Sequence, residues 1–175
     1  DIFAPVVVAS AATGIAYRGQ VDSLVSATTT VGVGTSATIN ITDIDDLVVG
    51  TVTTNVNAAS SVTLTVGGAI FDANGAVTVN VTTTTLTATT GAGVNLNTAI
   101  ATLFAATVSG DGDVDIRNAT VALLTVTTAT VAGSGDVTVT NNAAMTAGTT
   151  TTLNGDVTLL TTAGALISTT ATSGN

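Results

Sequence analysis

The residues with the most chemistry to offer are aspartates. Asp111, Asp113 and Asp115 alternate around Gly112 and Val114, and Asn118 follows. Alternating carboxylates beside a glycine match the opening of a calcium loop, where a hard cation collects oxygen ligands around a tight turn. The bidentate acid expected near the end of such a loop is missing. Asn118 is a weaker oxygen ligand, and the chain contains no Glu. Asp43, Asp45 and Asp46 form a second group of the same kind. Calcium is therefore the one cofactor these residues suggest. The plainer reading of Asp111 to Asp115 is a Gly-Asp turn followed by a strand whose outward residue is Asp115.

Other chemistry is excluded by absent residue types. There is no Cys, His, Trp, Lys or Glu, all 11 acids are Asp, and the only bases are Arg18 and Arg117. That removes a His base, a Cys nucleophile, a Schiff-base Lys and the usual ligands of zinc and copper. Paired carboxylates could serve a glycosidase. Yet Tyr17 and the two Arg that would grip a sugar are scattered along the chain, so no enzyme is expected and no residue is assigned to catalysis. Two Arg against a net charge of −9 also exclude nucleic acid as a partner, because phosphate binding depends on basic residues. No apolar stretch approaches the roughly 20 residues of a membrane span, so no membrane insertion is expected.

Thr-x-Thr pairs recur at Thr51/Thr53, Thr63/Thr65, Thr85/Thr87, Thr125/Thr127 and Thr138/Thr140. A flat rank of outward Thr can order water and bind ice, provided the pairs align on one face. Their spacing along the chain is irregular, with the widest gap between Thr85 and Thr125, which argues against alignment. Asn40-Ile41-Thr42, Asn80-Val81-Thr82 and Asn118-Ala119-Thr120 have the form of glycosylation acceptors.

The elements that must carry these residues are strands. Thr is 41, Ala 28 and Val 25 of 175 residues, and β-branched side chains favour a pleated surface. A unit of alternating apolar and polar residues recurs as Thr38–Thr42, Val62–Val66, Val77–Val81, Val94–Leu96, Val114–Ile116, Val137–Thr140 and Val157–Leu159. Its period of two puts Ile39, Ile41, Val62, Leu64, Val66, Val77, Val79 and Val81 on one face. Gly or Gly-Asp introduces most copies, as a corner requires. The copies start about 20 residues apart, the length of one coil of a β-solenoid. The expected fold is all-β, a right-handed parallel β-helix. The alternative is a tandem of immunoglobulin-like sandwiches.

One constant shift places Ile39-Asn40-Ile41 on Val114-Asp115-Ile116 and Val62-Thr63-Leu64-Thr65 on Val137-Thr138-Val139-Thr140. The repetitive solenoid, with this macro-repeat of about 75 residues, is assigned to 36–175. Residues 1–35 contain no clear copy of the unit and are expected to form a cap or a subunit-joining segment.

The order Ile39-Asn40-Ile41-Thr42-Asp43, Asp46-Leu47-Val48-Val49-Gly50-Thr51-Val52, Val62-Thr63-Leu64-Thr65, Gly67-Gly68-Ala69-Ile70 and Asp72-Ala73-Asn74-Gly75 resembles the large repetitive surface proteins of bacteria. These are the filamentous-haemagglutinin-like and autotransporter-like adhesins. The later Gly-Asp-Val-Thr strings and Gly164-Ala165-Leu166-Ile167 fit the same style. The resemblance implies a right-handed β-helix, secretion and a rod-like shape, and it supplies no catalytic residues. The expected function is a structural rod of a secreted surface adhesin or of an extracellular filament, located outside the cell or on its surface. Its partners would be copies of itself end to end, or the rest of a longer chain, with surface glycans or host receptors as ligands. A binding module for ice or for calcium-bridged attachment is the alternative, and a polysaccharide-active β-helix enzyme a third reading.

Overall fold

A computed structural model describes residues 2–30, 35–56, 59–75 and 77–174. Among these residues there are sixteen strands and no helix, and every strand pairing is parallel. The sandwich alternative, which needs antiparallel sheets, is excluded. The chain is an all-β parallel solenoid in which each coil lays one strand on each of two faces.

The first face runs through the N-terminal half of β2 (Gly14–Thr29), then β3 (Thr38–Asp43), β5 (Ser61–Val66), β8 (Thr85–Thr90), β10 (Thr102–Val108), β12 (Leu124–Ser134), β14 (Met145–Asn154) and β16 (Leu166–Thr172). The second face runs through β1 (Ile2–Ala11), the C-terminal half of β2, β4 (Leu47–Thr53), β6 (Ala69–Asp72), β9 (Gly93–Ala99), β11 (Val114–Asn118), β13 (Val137–Asn141) and β15 (Val157–Thr161). A two-residue strand, β7 (Val81–Thr82), bridges β4 and β9.

Like stacks on like in the interior. On the first face Ile39, Val62, Leu86, Leu103, Val126 and Ala147 form one buried column. A second column narrows from Ile41 and Leu64 to Ala88, Ala106 and Ala129. On the second face Leu47, Ile70, Val94, Val114 and Val137 stack in register. Each buried aliphatic side chain contributes roughly 1.5–3 kcal/mol. This narrow interior is filled almost wholly by aliphatic side chains, with Tyr17 the one ring in the buried cluster among the described residues, and the exposed Phe71 and Phe104 lie outside it.

The Gly-Asp corners take the form the sequence predicts. Gly112 and Gly135 adopt φ of 126° and 152°, a region L side chains avoid. A Cβ at Gly135 would lie 2.3 Å from the Gly112 carbonyl oxygen one coil earlier. The Asp113 side chain accepts from the Asp136 backbone N–H at 2.8 Å, and Asp136 accepts from that of Asp156 at 2.8 Å. The corner acids thus tie coil to coil.

Four expectations change. The strand markers mix the two faces: Ile39 and Val62 belong to the first, whereas Val94, Val114, Val137 and Val157 stack on the second. Coil length is also uneven. Along the first face the column passes through Ile39, Val62, Leu86, Leu103, Val126, Ala147 and Ser168, so most coils are longer than the expected spacing and the one from Leu86 to Leu103 is shorter. The shift behind the macro-repeat carries a strand of the first face to one of the second, so it is not a whole number of coils. The Val77–Val81 copy is not a strand of the stack. Between Ala73 and Asn80, both hydrogen-bonded to neighbouring coils, the described residues leave the stack; Val77 is 96% exposed, and Ala76 lies outside the described residues.

Residues 1–35 also sit differently. Ile15 and Tyr17 pair with Ile39 and Ile41, and Val7 pairs with Leu24. Within the described residues this segment forms the first coils of the same solenoid. Residues 31–34 lie outside the described residues.

Candidate functional site

The four residues of the first calcium candidate diverge. Asp111 accepts from the Ser134 N–H at 2.7 Å, and Asp113 is committed to the corner at Asp136. Asp115 projects outward from β11 and forms an ion pair with Arg117, which also donates to Asn95 Oδ1 at 3.2 Å. Burial raises the Asp115 carboxyl above its ordinary pKa; the Arg117 charge opposes this and Asp113 adds to it. Asn118 turns the other way and is buried.

There Asn118 closes a ladder of side-chain amides. Its Oδ1 accepts from Thr98 Oγ1 at 3.0 Å and from the Ile100 N–H at 2.9 Å. Its Nδ2 donates to Ile100 O, Thr120 Oγ1 and Asn141 Oδ1. Asn141 passes the pattern on to the carbonyls of Ala122 and Ala144. Asn80 and Asn97 do similar work at the base of the 73–80 excursion, both donating to Asp72 at 2.8 Å. Of the three Asn-x-Thr sites only Asn40 is exposed; the amide nitrogens of Asn80 and Asn118 are already engaged.

The second group is spread in the same manner. Asp43 is buried and accepts from the Val21 N–H at 2.9 Å. Burial first, and then the Asp45 carboxyl, pushes its pKa up. Asp45 accepts from Gln20 Nε2 at 2.6 Å, and Asp46 from the Ala69 N–H at 2.7 Å. The Tyr17 hydroxyl is raised too, by burial and then by Asp43 and Asp45. Among the described residues no three acids converge where a metal ion would sit.

The register reveals what the spacing concealed. On the first face Thr42, Thr65, Thr89, Thr107, Thr130, Thr151 and Thr172 occupy one outward column, a Thr in each successive coil. The neighbouring column holds Asn40, Thr63, Thr87, Ala105, Thr128, Thr149 and Thr170, and the next begins Thr38, Ser61, Thr85, Thr102, Thr125 and Thr146. Rungs lie about 4.8 Å apart and the first two columns about 6.7 Å apart along the strands; from β10 onward an extra residue, Phe104 in β10, separates the third column from the second. No carboxylate stands on these columns. Thr51/Thr53 and Thr138/Thr140 belong to the second face, which is why the raw spacings looked irregular.

The second face differs in character. Beside its corner lies a groove of about 460 Å³ that runs across several coils and is bordered by Phe71, Asn95, Asp46, Asp113 and Asp115.

Fold and faces together define the class: a parallel β-solenoid repeat protein, one face a threonine lattice and the other a grooved, acidic surface. Comparison with known proteins finds no matching family model, no matching curated protein and no matching solved structure.

Proposed function

We propose that the chain is a structural rod, serving a secreted bacterial surface adhesin or an extracellular filament. What supports this reading is the uninterrupted stacking of eight strands along the first face, in which backbone hydrogen bonds run parallel to the axis. Seven steps of about 4.8 Å make a stiff element about 34 Å long. The last coil also stands open. Val157 and Leu159 are only half-buried, and Leu166 is exposed, on columns that earlier coils bury. Electron micrographs of native material test the proposal: straight rods or fibres of solenoid width are expected, and compact globular particles would sink it.

A second reading attaches to the same scaffold. The threonine columns favour a face that orders water and engages ice. Each Thr offers a hydroxyl that can join a water lattice and a methyl that limits how that water orients. The periods of about 4.8 and 6.7 Å are of the order of the repeats in ice planes. A rod and an ice-engaging face do not exclude each other.

A further inference from the structure

We infer that the groove on the second face is a binding site for an uncharged oligosaccharide. Phe71 projects from β6 at the groove and is 45% exposed. An exposed ring beside a groove offers the apolar C–H face of a sugar a surface on which to stack. Around it stand acceptors and an amide: Asp46, Asp113 and Asp115 along the walls, and Asn95 between them.

The state of these carboxylates selects the ligand. Asp46 and Asp113 each give one oxygen to a backbone N–H, and Asp115 is paired with Arg117. A free acid cluster would call for a cation. Carboxylates that already hold a donor instead keep lone pairs suited to sugar hydroxyls. Three Asp against one Arg still leave the groove acidic, so uronic acids and sulfated sugars are repelled. The groove spans coils that contribute Asp46, Phe71, Asn95 and Asp113 in turn, so an extended chain would lie along the axis. This site does not rest on the rod reading.

Isothermal titration with uncharged cello-, manno- and chito-oligosaccharides tests it, with oligogalacturonate and a fully deacetylated chitosan oligomer as anionic and cationic controls. Saturable binding of at least one uncharged probe is expected, weakened at least about tenfold by Phe71→Ala. Asn95→Ala should weaken it as well, while circular dichroism stays unchanged in both variants. No binding of any uncharged probe would overturn the inference. So would binding of the cationic control alone, or binding that Phe71→Ala leaves intact. The Phe71 side chain lies outside the core, so its loss should not unfold the coil.

Discussion

Asn118 donates from its side-chain amide to Asn141 Oδ1 at 2.9 Å across one step of the solenoid, although the two residues are 23 apart in the chain. The contact sits at the turn that returns each coil to the first face, and it satisfies backbone groups no strand can reach. Asn118→Ala would strand the Ile100 N–H in a buried site and leave its carbonyl only the longer contact from Thr120 Oγ1 at 3.4 Å. It should cost about 3 kcal/mol in urea unfolding, whereas Asn40→Ala, at an exposed position, should cost almost nothing.

The threonine lattice makes its own prediction. Thr107→Tyr places a bulky ring at the centre of the column that runs from Thr42 to Thr172. If that face engages ice, inhibition of ice recrystallisation should fall away in this variant and persist in Thr138→Tyr on the second face. Equal behaviour of the two variants, or no activity in the parent chain, would remove the ice reading.

Buried threonines should respond to the same substitution with opposite signs. Thr90 stands between Val66 and Val108 in an interior column, and its hydroxyl has no hydrogen-bond partner. Thr90→Val should stabilise the chain by about 1 kcal/mol, since it removes an unsatisfied polar group at constant shape. Thr150 is equally buried, but its Oγ1 donates to Thr170 O at 3.1 Å. Thr150→Val should be neutral or destabilising in the same thermal melts.

Acid should stabilise the fold. The Asp43 and Asp115 carboxyls are raised in the folded chain, chiefly by burial, so the folded form takes up these protons at higher pH than the unfolded one. The stability linked to them is complete below the unfolded value of about 3.9 and is lost as pH rises through the folded values. The melting temperature should therefore climb as pH is lowered from 7 towards about 4. Asp43→Asn should flatten part of that slope. A melting temperature that falls over this interval would contradict the assignment.

Much of the architecture was legible from residues alone. Alternating Val62-Thr63-Leu64-Thr65-Val66 needs no partner to declare a strand, because a period of two can bury only one side. Gly135-Asp136 declares a corner for an equally local reason. The excursion at 73–80 was not legible: Val77-Thr78-Val79 alternates as well as any strand, yet β4 and β9 are bridged by Val81–Thr82 instead. Local pattern cannot say which of two eligible segments the neighbouring coils will accept.

The candidate sites divide along the same line. Asp111, Asp113, Asp115 and Asn118 are close in sequence and look like one ligand set, but alternation sends Asp115 outward and Asn118 inward, while the corner claims Asp113. Composition and period sufficed for the class of fold: all-β, repetitive and narrow, with Thr outside and aliphatics within. Which Thr stand together was decided only by the stacking of coils. Coil length changes from turn to turn, long from Thr65 to Thr89 and short from Thr89 to Thr107, so no fixed spacing marks the column from Thr42 to Thr172. Register is set where an interior column of Val, Leu or Ile meets its neighbour above and below, and the outward faces inherit it.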